Sequence, residues 1–153
     1  QEVNAANPVL PSTLATGGKL SASRPSPSLS AVNDRLLPKD VNDRSLPYYH
    51  WWPAKNTVEW IIYEFPGAKE VRGSTVYWYD DAPWGGCRVP DSWRILYRDA
   101  YGEWQPVKDA DNYGTAKGTG NTVNFSPVKT SAVKLEVVQP ADNSSGVFEW
   151  ELF

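Results

Sequence analysis

Three groups of side chains in this 153-residue chain have the types and spacing to do chemistry. The first is acidic. Asp34, Asp40 and Asp43 fall close together in an irregular stretch. Calcium takes roughly six to eight oxygens from carboxylates and backbone carbonyls, and loops supply both. Glu149 and Glu151, flanking Trp150, can complete such a shell from a distance, although the spacing is not that of an EF-hand. The competing use is commoner: Asn and Asp in loops make Asx-turns. The second group is Tyr48-Tyr49-His50-Trp51-Trp52. A strand turns successive side chains to opposite faces, so five adjacent rings cannot all be buried on one. One reading is an aromatic platform with His50 as a hydrogen-bonding partner. The other has Trp51 or Trp52 plugging the core while the tyrosines cover its end. The third group runs from Tyr79 to Pro90, with Asp80, Asp81, Trp84, Gly85-Gly86, Cys87 and Arg88. The glycine pair permits a backbone that exposes Trp84. An exposed indole can stack on the apolar face of a sugar while Asp81 and Arg88 take its hydroxyls. Alternatively, Asp80, Asp81 and Arg88 pair with one another and hold the loop shut.

Catalysis is a poor match to these groups. Glycoside hydrolysis needs two carboxylates across a cleft, about 5–5.5 or about 6.5–9.5 Å apart. Asp80 and Asp81 are adjacent, and on extended backbone their side chains diverge. Nothing around Cys87 marks it as a nucleophile. No GxSxG, P-loop or HExxH pattern is present. The sequence therefore reads as non-enzymatic.

Composition narrows the classes further. One cysteine excludes an internal disulfide and a multi-cysteine zinc site, and one histidine excludes a multi-histidine metal site. Net charge is -3 with Lys and Arg scattered, which argues against nucleic acid or an anionic membrane surface as a partner. No apolar run approaches the ~18 residues of a membrane-spanning helix. Eight Trp and eight Tyr against four Phe and no Met bias the aromatics towards rings with a polar edge. Such rings build β-sheet cores, and they also build surfaces that are flat, apolar and wet at one side.

The elements that must position these groups are strands. Residues 1–16 have no clear period and read as a linker or peripheral arm; the domain is expected over 17–153. Lys19 to Ser23 makes a first short strand. Residues 24–56 carry five prolines and read as a long connection in which a normal helix is improbable. Within it the unit from Ala31 to Lys39 is echoed from Asp40 to Tyr48, placing two Asn-Asp pairs, at 33–34 and 42–43, close together. From residue 57 onward strands are expected over Thr57–Phe65, Ser74–Tyr79, Ser92–Arg98, Thr122–Phe125, Ala132–Val138 and Val147–Phe153. Val133, Leu135 and Val137 alternate with Lys134 and Glu136, the mark of a half-buried strand. Turn signals separate the runs, among them Pro66-Gly67 and Ser126-Pro127. No convincing amphipathic helix is found. The fold class is all-β, a sandwich or barrel.

Several of these segments resemble the discoidin, or coagulation factor V/VIII type C, domain, a family that includes the galactose-binding-like family 32 carbohydrate-binding modules. Ala31-Val32-Asn33-Asp34 is similar to its calcium loop, and His50-Trp51-Trp52 lies where the family often has Thr-x-Trp. The strand Glu59 to Phe65 and the close from Phe148 to Phe153 are similar to two further family motifs. Trp51-Trp52-Pro53, Tyr77 to Asp81 and Gly85-Gly86-Cys87-Arg88-Val89-Pro90 resemble the module appended to bacterial beta-L-arabinofuranosidase-like hydrolases of family 127. The resemblance implies a galactose-binding-domain-like jelly-roll β-sandwich of about eight strands. It implies a structural calcium held by Asp34, Asp43, Ser45 and Glu149, and a ligand site in the loops at one end. Two residues depart from the pattern: Arg35 stands where the family usually has Gly, and His50 replaces the usual Thr.

The expected function is a non-catalytic carbohydrate-binding module, extracellular or periplasmic in a bacterium, that keeps an attached hydrolase near a plant or host glycan. Trp84, Tyr48 and Trp51 would stack on sugar, and Arg88, His50 and Asp81 would bond hydroxyls. The alternative is an accessory domain that packs on the catalytic domain of its parent hydrolase and binds no free sugar.

Overall fold

The structure, a computed structural model, describes residues 10–153. Among these residues are seven strands: β1 (Lys19–Ala22), β2 (Tyr49–His50), β3 (Val58–Tyr79), β4 (Ser92–Arg98), β5 (Trp104–Pro106), β6 (Asn121–Val138) and β7 (Gly146–Leu152). Two of them do most of the building. β3 and β6 pair antiparallel along nearly their whole length, from Val58↔Val138 to Val76↔Asn121. Their first ladder, at Val58–Glu64, is flanked by β1 on one side and, through β6, by β4 and β5 on the other. Their second ladder, at Gly73–Val76, is flanked by β7, which also carries β2. A single hydrogen-bonded network thus folds over on itself into the two layers of a jelly-roll β-sandwich.

The sequence predicts breaks at Pro66-Gly67 and Ser126-Pro127, and the structure carries strand through both. The physical reason lies in the register. Pairing shifts between Glu64 and Lys69, and again between Val71 and Gly73 opposite Val128 and Asn124. At such a bulge the chain bends without needing every ladder hydrogen bond, so a proline with no N–H costs little there. Two expected pairs of strands are therefore two long bent ones. Strands β2 and β5 are too short to be seen in the sequence.

The alternation read in β6 holds: Val133, Leu135 and Val137 are buried. They meet Ile61 and Tyr63 of β3, Trp93 and Ile95 of β4, and Trp51, Trp78 and Trp150 in one core. Tyr63 stacks on Trp150 at 4.2 Å between ring centroids and donates its hydroxyl to the Trp150 carbonyl at 2.7 Å. The long connection before β3 contains 3-10 helix over Pro27–Asn33, whose Leu29 and Val32 reach the core. The arm expected over 1–16 lies outside the described residues as far as residue 9. Beyond that it joins the sandwich: Ala15 is fully buried in a 3-10 helix over Leu14–Gly17, and Asn33 donates to its carbonyl at 3.0 Å.

Candidate functional site

Where β3 ends and β7 begins, the loop after Tyr79 folds back on the chain before Gly146. Cys87 bridges to Ser144, and the Arg88 and Ser144 amides donate to the Ser144 and Gly86 carbonyls at 2.8 and 3.0 Å. Asp80 is buried and accepts from the amides of Ala82 and Val89, both at 3.0 Å, with Lys117 Nζ at 3.4 Å. Asp81 accepts from the Cys87 amide at 2.8 Å and from the Tyr79 hydroxyl at 3.3 Å. Arg88 donates to the carbonyls of Gly85 and Cys87, both at 2.8 Å, and lies 3.6 Å from Asp81. Of the self-paired loop that the sequence offered as an alternative, Asp81 and Arg88 do pair, while Asp80 turns instead to Lys117 and to backbone amides.

The two glycines serve close approach rather than exposure. A Cβ on Gly85 would collide with the Asp81 carboxylate, and one on Gly86 with the ring of Trp52. Trp84 nevertheless projects from this loop, 81% exposed. Beside it lies a basin of about 400 Å³ bounded by Trp84, Asp81, Tyr79, Tyr48, Arg44 and Asp43. The tyrosines form one wall: their rings stack at 3.7 Å and 11°. A smaller pocket of about 280 Å³ adjoins it, bounded by Tyr48, His50, Trp52, Asp81, Gly86 and Cys87. Burial pushes His50 below its ordinary pKa, against a pull from Asp81, so the ring is neutral at pH 7. Burial pushes the Cys87 thiol up to about 12, so it is no nucleophile.

Of the six residues expected to hold ligand, four gather here: Trp84, Tyr48, His50 and Asp81. Trp51 does not. It is fully buried in the sandwich, edge-on to Tyr49, with its Nε1 donating to Ser23 at 3.2 Å. The pleat explains this, because alternate rings of the aromatic run must point inward. Arg88 borders neither cavity; its guanidinium clamps the loop instead. Arg44, Tyr79 and Trp52 were missed as site residues. The nine-residue echo from Asp40 to Tyr48 contains Arg44 and could have drawn attention to it.

The four residues implied for calcium do not assemble. Asp43 accepts from Ser45 Oγ at 2.6 Å and from the Lys39 amide at 2.9 Å, and it borders the aromatic basin. Those bonds hold its carboxyl below the usual range. Asp34 and Glu149 lie elsewhere, within hydrogen-bonding reach of each other. Asp34 accepts from the Leu36 amide at 2.9 Å, an Asx-turn like those at Asp40 and Asp43. Among the described residues no three His, Cys, Asp or Glu side chains gather around a common point. Beside Asp34 and Glu149 sits a cation that belongs to the chain. Arg35, at φ 64 and buried, places Nη1 3.2 Å from Glu149 Oε2 and 2.7 Å from Glu151, and donates Nε to the Pro11 carbonyl at 2.8 Å. Glu149 Oε1 is buried and receives no N–H or O–H. Burial, then the Asp34 carboxyl, push Glu149 up to about 9 against the pull of Arg35.

Solved structures share the whole architecture. A chain of Streptococcus pneumoniae β-galactosidase BgaA is 21% identical, with a TM-score of 0.75 over 96% of this chain and 97% of that one. The family 32 module of Clostridium perfringens NanJ, solved with galactose, is 14% identical, with a TM-score of 0.67 over 92% and 97%. A chitosan-binding module from Paenibacillus sp. IK-5 is 15% identical, with a TM-score of 0.64 over 92% and 98%. At these identities the likeness carries the fold. The sequence itself carries the rest: with the F5/8 type C domain profile matching residues 20–152, from β1 to the last residue of β7, the chain belongs to that family.

Proposed function

We propose that this domain is a non-catalytic carbohydrate-binding module, and that the loop end around Trp84 is its sugar site. The observation that carries the reading is the juxtaposition of an 81% exposed indole with a basin walled by stacked Tyr48 and Tyr79 and edged by Asp43, Arg44 and Asp81. Apolar ring faces with a few polar groups at their border match a pyranose, which has apolar faces and hydroxyls around its rim. The related modules of NanJ and Paenibacillus sp. IK-5, which take galactose and chitosan, support the same class of ligand. The module resembles those of family 127 beta-L-arabinofuranosidase-like hydrolases, so its role is to keep an attached bacterial hydrolase near a glycan outside the cytoplasm. No helix among the described residues is long and apolar enough to cross a membrane. A calcium ion would take Asp34 and Glu149 as its carboxyl ligands, beside the Arg35 guanidinium.

The test is a glycan-array and polysaccharide-affinity screen of the isolated domain, with calcium and with EDTA. One site of this size binds in the ~mM to µM range and gains from multivalency. Trp84→Ala abolishes that binding while leaving Tm unchanged, because the ring is almost fully solvated and surface changes of this kind stay within about 0.5 kcal/mol. A well-folded domain that binds no glycan moves the function to the accessory-domain alternative.

A further inference from the structure

The basin at Trp84 and the pocket at Trp52 share a border. Tyr48, Asp81 and Gly85 line both. The two cavities, about 400 and about 280 Å³, therefore lie side by side across one ridge, not at separate places on the surface. Each has its own aromatic side chain open to solvent: Trp84 for the first and Trp52, 48% exposed, for the second. Each also has its own polar group. Arg44 borders the first. His50 borders the second, and because its Nδ1 is buried without a partner, Nε2 is the edge it can offer. The second cavity is held open by sequence. Trp52 rests on Gly86, where any Cβ would strike the ring, and Lys55 Nζ lies 5.5 Å from the ring centroid. Asp81 on the shared ridge has its Oδ1 engaged by the Cys87 amide and its Oδ2 only by the Tyr79 hydroxyl at 3.3 Å, which leaves Oδ2 able to accept one hydroxyl more.

Resting on the sugar-binding reading above, we infer that the site has two adjoining subsites, and that its ligand is an oligosaccharide of at least two units, one against Trp84 and the next against Trp52 and His50. The linkage between the units crosses the ridge at Asp81. Trp52 and His50 thus set the preference for chain length, and Trp84 supplies the contact that any single unit uses.

Calorimetric titration decides this with defined probes: galactose against its β-1,4-linked di- and trisaccharide, glucosamine against the corresponding chitosan oligomers, and L-arabinose against arabinobiose. In the series that binds, the disaccharide is expected to bind at least tenfold more tightly than the monosaccharide, with little added by a third unit. Trp52→Ala brings the disaccharide affinity down to that of the monosaccharide; Trp84→Ala lowers both. Thermal melts of both variants establish that they fold. Equal affinity for mono- and disaccharide in the wild type, or a disaccharide gain that survives Trp52→Ala, overturns the second subsite and leaves the sugar site standing. Absence of binding in all three series overturns both.

Discussion

At the scale of single residues, the buried charge cluster at Arg35 has the clearest consequences. Glu149 has an ordinary pKa of 4.5 when unfolded and is pushed up to about 9 when folded. Between those values the folded state holds a proton that the unfolded state has released, so stability falls as pH rises through that window. A plot of Tm against pH is expected to slope down from about 5 to about 9, and Glu149→Gln, which carries no titrating proton, flattens it. An unchanged slope in the variant places the titration elsewhere. Arg35 bears on calcium. A guanidinium 3.2 Å from Glu149 Oε2 repels a divalent ion next to the same carboxyl group by several kcal/mol at an effective dielectric of about 20. Arg35→Gly also relieves the positive φ. The variant in EDTA is expected to melt below the wild type, since Glu149 and Glu151 lose their partner, and calcium should raise its Tm by more than it raises that of the wild type. Identical calcium responses in the two proteins show that the guanidinium does not govern the site.

These same residues mark how far the sequence could be read. Trp84 was legible as an exposed ring, although the glycine pair that pointed to it makes room for Asp81 and Trp52 instead. Trp51 was legible as core only as one of two alternatives, because five adjacent rings give no parity and only the pairing of Tyr49 with Val147 fixes which of them point inward. Arg88 looked like a ligand-binding group because its partners are backbone carbonyls, which no sequence pattern announces.

At the scale of elements, the loop from Asp80 to Arg88 is the part most sensitive to small changes. Gly85→Ala must displace the Asp81 carboxylate and with it the bond to the Cys87 amide. Overpacking of this kind costs about 1–3 kcal/mol, so a lower Tm and weaker sugar binding are expected together. Gly67→Ala, where a Cβ meets nothing within 4 Å, is the control and should change neither. A Gly85→Ala domain that melts and binds like the wild type means that the loop accommodates Cβ by moving freely, and Asp81 is then no fixed ridge. Strand existence was legible from alternation in β6 and from the β-branched and aromatic run that opens β3. Strand continuity was not. Proline signals a turn in isolation, and only the register shifts at Glu64/Lys69 and Val71/Gly73 show that here it marks a bend.

At the scale of the molecule, the sandwich separates its two tasks. The cluster of Asp34, Arg35 and Glu149 ties the N-terminal connection to β7, and the aromatic cavities lie on the loops where β3 hands over to β7. The sheet order β2-β7-β3-β6-β4-β5 also has a temporal side. Strand β7 is last in sequence yet sits inside its layer, between β2 and β3, and contributes Trp150 to the core. Its contacts are among the most distant in sequence, the kind that form late. During synthesis the earlier strands must wait, with one flank of β3 bare, until Leu152 has left the ribosomal tunnel. Ribosome-tethered chains ending before Gly146 are expected to be digested rapidly by protease, and chains carrying β7 on a linker long enough to clear the tunnel to resist it. The domain is thus completed by its final strand, and any partner that reads its loops meets them only after that strand is in place.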